Sequence, residues 1–397
     1  MERRKFIKYA ALTSTGLIFA GCDTLMGSRD KQSLMPEAYR NSKSNSPQPQ
    51  IAIPASPVVA NEALKVGFVY TSSVGDFGWT YAHDLGRREM EANLKGKVET
   101  TFVENVSESA DAERVIRQLA LDGSKLIFMT SLGYMNSTLK VASSFPKVAF
   151  EQLGYNQQAT NIGTYLGRFE EPRYLTGMIA GKMTKSNIIG FVAAFPTPKV
   201  IREICAFTQG VRLTNPLAKV RVTWVKTLYN PIKEREAAQS LVSLGADILT
   251  QNTDSVAVIQ VAEEKGIYAF GYNTDMSKFG QKSHLTSAIN QWGKFYIEKA
   301  SSVMNGTWKS EEVWQGITQG LVDISPMNPV INQDVQKLVN DKRDEIIKGT
   351  AHPFDGPVKD QKGVIRVPKG QFLDDKEQLV MDWYVEGIEG VIPKFKT

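Results

Sequence analysis

The sequence predicts an α/β protein built from two doubly wound parallel-sheet lobes that are joined by a hinge. Short apolar, β-branched runs alternate with segments of helical period, and this alternation occurs twice along the chain. The 397 residues leave room for two domains with a large core. A composition of 42% apolar and 22% charged residues is ordinary for a soluble globular protein, and it excludes disordered and collagen-like chains.

An internal repeat relates the two rounds of strands and helices. KVGFV at 65–69 recurs as IIGFV at 188–192, and Gly123 stands opposite Gly245, so the offset stays close to 122 residues. Chance similarity between unrelated α/β segments explains the alternation but not the matched spacing across five elements. The pattern therefore favours duplication of one βα unit.

The repeat divides the chain into lobes. We assign residues 62–184 and about 292–320 to the first lobe, and residues 185–291 and about 321–397 to the second. Alternation and turn residues in GPVKDQKGVIRVPKGQFL predict a hairpin near the C-terminus.

Residues 1–21 are predicted to be a signal peptide, because a basic start is followed by a short apolar stretch and by small residues. RRKFIK resembles the twin-arginine export motif, and FAGC resembles the lipobox of bacterial lipoproteins, in which the cysteine, here Cys22, is diacylated. The alternative is an ordinary signal peptide with an incidental cysteine. Lipidation of Cys22 would leave Cys205 as the other cysteine, which excludes an internal disulfide.

Residues 22–61 are predicted to be a disordered tether. The segment is rich in Ser, Asn, Gln and Pro and has almost no aromatic residue, so it cannot bury enough apolar surface to fold. Its prolines should keep it partly extended, which would let a lipid-anchored domain stand off the membrane.

The net charge does not indicate a nucleic-acid partner. Of the formal +5, the N-terminal residues Arg3, Arg4, Lys5 and Lys8 against Glu2 contribute +3. Dense basic runs with interleaved aromatic residues do not occur in the rest of the sequence.

Motifs for an enzyme, a metal or a cofactor are also missing from the sequence. It contains no G-x-S-x-G, H-E-x-x-H, P-loop or C-x-x-C motif, and its three histidines stand in unrelated contexts. We therefore predict a non-enzymatic protein without metal or cofactor. The strongest catalytic alternative is a nucleoside hydrolase with a calcium-binding Asp cluster, but Asp76, Asp254 and Asp275 are isolated in the sequence.

The loops that follow the strands are the expected ligand site, because ligands of open α/β sheets bind at the carboxyl ends of the strands. These loops carry aromatic rings together with carboxylates and amides. The aromatic candidates are Phe77, Trp79, Tyr134, Tyr155, Phe195, Tyr272 and Trp292, and the polar candidates are Asp76, Asn252, Asp254, Asn273 and Asp275. Ring faces that stack and polar groups that accept hydrogen bonds suit a flat, nitrogen-rich ligand. Any single ring could instead be ordinary core.

From about Leu64 onward the chain resembles the basic membrane protein family of ABC-transporter substrate-binding lipoproteins, relatives of purine nucleoside receptors. The resemblance is carried by VGDFGWTYAHDLGR, by RFEEPRYLTGMIAGKMTKSNIIGFVAAFP, and by AFGYNTDMSKFG with TSAINQW. It implies a type I periplasmic-binding-protein fold, a purine ligand and an ABC permease as partner.

The resemblance also implies roles for individual residues. Asp76 and Trp79 fall where the relatives have an acidic residue and a base-stacking aromatic residue, and Asp275 falls where an Asp contacts ribose. The family's lysine in T-S-x-x-K, which helps to hold ribose, is replaced by Asn290. This departure favours a free purine base such as adenine over a nucleoside. Asp254 could then accept from an exocyclic amine.

We therefore predict a protein on the extracytoplasmic face of the membrane that traps a purine between two lobes. Trp79 is expected to stack on the base, with Phe195 on its opposite face. The hinge is expected near Lys185, Leu285 and Leu321. A binding protein for a sugar or another small solute, and a signalling receptor, are the alternatives.

Overall fold

A computed structural model describes residues 62–156 and 159–394. The predicted signal peptide, Cys22 and the predicted tether lie outside the described residues. Within the described residues, no helix is both long enough and apolar enough to cross a membrane.

The first lobe is built on a parallel sheet. Its strands are β1 (Leu64–Val69), β2 (Val98–Val103), β3 (Leu126–Met129), β4 (Ala149–Leu153), β5 (Ile162–Gly167) and β11 (Glu312–Gln315). They lie in the order β11-β5-β4-β3-β1-β2, and every pair is parallel. The helices beside this sheet are α1 (Trp79–Asn93), α2 (Ala110–Leu121), α3 (Met135–Ala142) and α8 (Trp292–Met304).

The second lobe has a sheet of the same kind. Its strands are β6 (Ile188–Ala193), β7 (Lys219–Trp224), β8 (Ile248–Gln251), β9 (Tyr268–Asn273), β10 (His284–Asn290), β12 (Val322–Ile324) and β15 (Ile388–Glu389). They lie in the order β12-β10-β9-β8-β6-β7-β15, and only the β10–β12 pair is antiparallel among these described strands. Its helices are α4 (Glu170–Met183), α5 (Pro198–Thr214), α6 (Pro231–Ser243), α7 (Ala257–Lys265) and α9 (Gln333–Ile347).

The sequence repeat is also a structural repeat. The order β2-β1-β3-β4-β5 in the first sheet corresponds strand by strand to β7-β6-β8-β9-β10 in the second. Gly123 and Gly245, which follow α2 and α6, share a φ of +95°, a left-handed conformation that favours glycine at the end of a helix. The predicted fold class, two parallel-sheet lobes of the type I binding-protein kind, is confirmed.

Helix α4 packs within the second lobe. Phe169, Leu175 and Met178 belong to the same hydrophobic cluster as the buried residues of β6, α5 and α9. The crossing of α4 and α5 is so close that a Cβ on Gly177 would lie 2.0 Å from the carbonyl oxygen of Phe207. We therefore propose that the first crossing between the lobes lies at residues 167–169 rather than near Lys185.

The other two crossings adjoin the first. Strand β10 ends at Asn290 in the second sheet, whereas α8 packs against α1 on the first lobe. The third crossing joins β11 of the first sheet to β12 of the second. Main-chain hydrogen bonds of 2.8 Å connect Gln291 N to Leu321 O and Arg168 N to Gln315 O, so the crossing segments brace one another.

The C-terminal segment contacts both lobes. The predicted hairpin is present as β13 (Val358–Lys359) and β14 (Ile365–Val367), and β15 extends the second sheet beside β7. Between them, α10 (Asp375–Leu379) reaches the first lobe. There Leu379 joins the hydrophobic cluster of the first lobe, and Arg168, at the crossing after β5, donates two hydrogen bonds, of 2.8 and 2.6 Å, to the Asp375 carboxylate.

Candidate ligand-binding cleft

Asp76 closes the loop between β1 and α1. Its buried carboxylate accepts from the main-chain N–H groups of Gly78 at 2.8 Å and of Thr80 and Tyr81 at 3.1 Å. Ser72 Oγ donates at 2.7 Å to Oδ2, the oxygen that also accepts from Thr80. Burial raises the pKa of Asp76, and these donors oppose that rise. Asp76 therefore fixes the start of α1 and, through it, the position of Trp79.

Trp79 is the first residue of α1, and hydrogen bonds anchor both its ring and its main chain. Nε1 donates to the Thr130 carbonyl at 2.8 Å, while the main-chain N–H donates to Asp254 Oδ1 at 2.8 Å. His83 and Trp292 meet the indole in edge geometry, with ring centres 4.6 and 5.8 Å away. A half-buried indole that is restrained by a hydrogen bond and by neighbouring rings is a preorganised surface for a flat ligand.

Trp292 supports this arrangement from within the first lobe. It is 1% exposed and stacks on His83 at 4.6 Å, and His83 in turn forms a hydrogen bond with Tyr296. Burial lowers the pKa of His83 well below its usual value, so the imidazole is neutral. The structure thus places Trp292, a predicted ligand contact, among the packed rings that position Trp79.

Asp254 in the loop after β8 faces Trp79 from the second lobe. It is 3% exposed, and Asn273 Nδ2 donates to Oδ1 at 3.1 Å. Asn290 Nδ2 donates to Asn273 Oδ1 at 2.9 Å, so the chain of polar groups continues to the hinge. Burial, followed by the charge of Asp76, raises the pKa of Asp254 well above its usual value, and the Trp79 and Asn273 donors oppose this rise.

The remaining predicted residues occupy varied positions. Asn252 braces the ends of β6 and β8, since its Oδ1 accepts from Ala194 N at 2.8 Å. Phe195 is half-buried in the loop between β6 and α5. Asp275 is exposed and accepts from Ser277 N at 2.9 Å, a contact within its own turn.

The two lobes touch directly beside Trp79. Thr274 Oγ1 donates to the Phe77 carbonyl, and the ring of Phe77 lies 4.9 Å from that of Phe279. A Cβ on Gly78 would lie 2.4 Å from Asp254 Oδ1, so this contact needs glycine. The cleft is therefore in a closed arrangement.

A charged group that the sequence reasoning missed lines the second-lobe wall. Lys199 Nζ lies 4.9 Å from the centre of the Trp79 ring, 3.0 Å from Glu203 Oε1 and 3.4 Å from the Tyr272 hydroxyl. Arg173 Nε lies 3.6 Å from Glu203 Oε2, and the Arg173 guanidinium lies over the Tyr272 ring at 4.7 Å. Burial opposes the Lys199 charge, but Glu203 and Tyr272 raise its pKa above the usual value.

One signal for this group was available in the sequence. Lys199 directly follows the predicted loop AAFPTP, and Glu203 comes four residues later, a spacing that puts both side chains on one face of α5. Arg173 gave no such signal, because it reaches the cluster from α4, a helix assigned to the other lobe.

Comparison with known proteins identifies the chain's family. Residues 63–353 match the Bmp family, described as PnrA-like ABC-transporter substrate-binding proteins. The chain belongs to the Bmp family. Like the rest of this family, it is an extracytoplasmic substrate-binding protein rather than an enzyme, so the nucleoside-hydrolase alternative is wrong.

Relatives of this Bmp-family chain include a purine-binding protein of Brucella abortus (strain 2308). It is 46% identical over 84% of this chain and 95% of its own length. A protein named for ABC-transporter glucose binding in Haloferax volcanii is 34% identical over 84% of this chain and 82% of its own length.

Solved structures support the fold of this Bmp-family chain. An ABC-transporter solute-binding protein from Aeropyrum pernix K1 has a TM-score of 0.65 at 17% identity and covers 79% of this chain and 95% of its own. One from Conexibacter woesei DSM 14684 has a TM-score of 0.62 at 22% identity and covers 73% of this chain and 98% of its own.

Proposed function

We propose that this Bmp-family protein captures a purine base and presents it to an ABC permease. The expected base resembles adenine in its hydrogen-bond donors, and a purine nucleoside is the next choice. The observation that carries the proposal is Trp79, whose indole Nε1 and main-chain N–H are both hydrogen-bonded where the two lobes meet. Its support is the 46% identity to a relative named for purine binding.

Asp254 is the proposed partner of an exocyclic amine. Within the described residues, the hydrogen bonds that its side chain accepts, from Trp79 and Asn273, both go to Oδ1. Oδ2 is therefore the oxygen that can accept from a ligand N–H. Such a donor also favours the ionised form of a carboxyl whose pKa burial has raised.

Hinge closure is the proposed mechanism of capture. Trp79 comes from the first lobe, whereas Asp254 comes from the second, so a ligand that contacts both stabilises the closed arrangement over the open one. The crossings at residues 167–169, 290–292 and 316–321 are the proposed flexing segments.

Anchoring by a diacylated Cys22, with residues 22–61 as the tether, is part of the proposal. The support is the FAGC motif after a basic and apolar start, and RRKFIK supports twin-arginine export. A lipid anchor would keep the loaded receptor near the membrane that holds its permease.

A sugar is the second candidate ligand, favoured by the relative from Haloferax volcanii that is named for glucose binding. Isothermal titration of the detergent-solubilised full chain, stripped of carried-over ligand by unfolding and refolding, separates the two. Adenine, hypoxanthine, adenosine, guanosine, ribose and glucose are the ligands to compare. We expect a purine base to bind tightest. Binding of glucose without purine would make this a sugar receptor.

If purine binding is confirmed, the uptake of labelled adenine by cells tests whether the protein serves a transporter or a signalling receptor. We expect cells that lack the gene to lose uptake of labelled adenine. Unchanged uptake would favour the signalling alternative.

A further inference from the structure

The ammonium of Lys199 lies where a stacked base would lie. It is directed at the face of the Trp79 ring, 4.9 Å from the ring centre. Aromatic planes stack at about 3.5 Å, so a base on this face and the ammonium cannot share the space. Because Trp79 is fixed through Thr130 and Asp254, Lys199 is the group that must move.

The charges around Lys199 allow that movement. Glu203 has no exposed side-chain surface and is flanked by two cations, Lys199 at 3.0 Å and Arg173 at 3.6 Å. One carboxylate balances one of them, so the cluster carries an excess positive charge toward the cleft. Arg173 also donates to Thr250 Oγ1 and to the Gln251 carbonyl and is fully buried, which makes Lys199 the movable member.

A displaced Lys199 would still be tethered. Glu203 lies one helical turn further along α5, so the ammonium can leave the ring face and stay close to the carboxylate. From there it meets the edge of a base that stacks on Trp79. An ammonium donates hydrogen bonds and accepts none, so it cannot pair with an amino group. On an adenine-like base the acceptors are the ring nitrogens.

We propose that Lys199 is a specificity-determining residue of this cleft, and that its ammonium donates a hydrogen bond to a ring nitrogen of the base stacked on Trp79. The inference rests on the proposed purine function and deepens it. It assigns Lys199 a donor role from α5, whereas the position at which Asn290 replaces the family's lysine lies at the end of β10. The expected ligands are therefore bases that present a hydrogen-bond acceptor to Lys199 on α5 and a hydrogen-bond donor to Asp254.

The test combines one substitution in the protein with adenine analogues that each lack one ring nitrogen, and so lack one hydrogen-bond acceptor. The affinities of adenine, 1-deazaadenine, 3-deazaadenine and 7-deazaadenine are measured by calorimetry for the wild-type full chain and for Lys199→Met. We expect the wild type to bind one deaza analogue at least tenfold more weakly than adenine. We expect Lys199→Met to bind adenine about tenfold to a hundredfold more weakly, as for loss of a charged hydrogen bond, and to discriminate no longer against that same analogue.

Lys337→Met is the control for the loss of one positive charge. Lys337 is an exposed residue of α9, outside the cleft, and its ammonium lies 2.6 Å from Asp341 Oδ2. Adenine affinity should stay within twofold of wild type in this variant. Circular dichroism checks that Lys199→Met is folded, which we expect because Arg173 still balances Glu203.

Two results would overturn the inference while the purine function stands. The first is a wild type that binds adenine and all three deaza analogues alike, a measurement that needs no variant. The second is a Lys199→Met protein that loses the same factor for all four ligands, since this would mean a general effect of charge. A wild type that binds no purine would overturn the proposed function and this inference together.

Discussion

Gly78 lies at the closest approach between the lobes. A Cβ there would come within 2.4 Å of the Asp254 carboxylate and 2.6 Å of the Asp254 Cα, and the main chain cannot yield as a flexible side chain would. We expect Gly78→Ala to lower purine affinity by about fivefold or more, because overpacking costs about 1–3 kcal/mol in the closed arrangement only. Calorimetry measures the loss.

The neighbouring Gly75→Ala substitution serves as control, since its Cβ would meet only Ser73 Oγ at an ordinary 3.6 Å. Equal affinities for the two alanine variants would mean that the contact at Gly78 does not form during binding.

Trp79 is the proposed stacking surface, so its removal should make the free energy of purine binding less favourable. Trp79→Ala should cost on the order of 1–3 kcal/mol of purine binding, by analogy with base–aromatic stacking in nucleic-acid complexes. Trp79→Phe keeps a smaller stacking ring and loses the hydrogen bond to the Thr130 carbonyl, so it should weaken binding less than Trp79→Ala does. If Trp79→Ala stays within twofold of wild type in the same titration, the stacking assignment is wrong.

At the scale of elements, α10 connects the second lobe to the end of β5. The hydrogen bond from Arg168 lowers the pKa of Asp375, although burial opposes it. A carboxyl whose pKa is lower in the folded state contributes stability above its unfolded pKa and loses it as the pH falls through the folded value.

Asp375→Asn should therefore reduce the free energy of unfolding at neutral pH, and the difference from wild type should shrink as the pH falls through the lowered pKa of Asp375. Because the Asp375 side chain is 52% exposed, solvent screening limits the effect to about 0.5 kcal/mol. Urea unfolding at pH 7 and pH 3 measures it. Asp341→Asn, which removes an exposed pair with Lys337, is the control. A pH-independent difference would contradict the role of the ion pair.

At the scale of the whole molecule, anchoring determines where the protein works. Cys22→Ser should abolish incorporation of a labelled fatty acid in producing cells, because the serine hydroxyl does not replace the thiol as the acylated group. Cys205→Ser is the control, since Cys205 is buried in the second lobe and should not affect acylation. If the Cys22→Ser protein still incorporates the labelled fatty acid, the lipid is attached at another residue and the FAGC motif is incidental.

Much of the fold could be predicted, because the information that determines it is local. Strand and helix periods, Gly123 and Gly245 at helix ends, and the repeat of KVGFV as IIGFV indicate the elements and their order. The position of α4 could not be predicted. Whether the helix after β5 packs on the first or the second lobe depends on the elements that it contacts. Gly177 allows α4 to pack closely against α5, but this role is visible only once the two helices are in contact.

The candidate cleft, too, could be predicted from the sequence only in part. Trp79 and Asp254 could be picked out individually because both follow strands, whose carboxyl ends meet at one edge of a sheet. Their hydrogen bond joins residues 175 positions apart, and such a distance along the chain carries no periodic signal.

The sequence by itself thus determined the fold class, the duplication, the loops that carry the ligand site and the family resemblance. Only the tertiary structure decided that Trp292 supports Trp79 from the core, that Lys199 covers its face, and that Asp275 is exposed and bonded within its own turn. The physical reason is that periodicity and turn chemistry act over a few residues, whereas the cleft is formed by side chains that meet only when two separately folded lobes close.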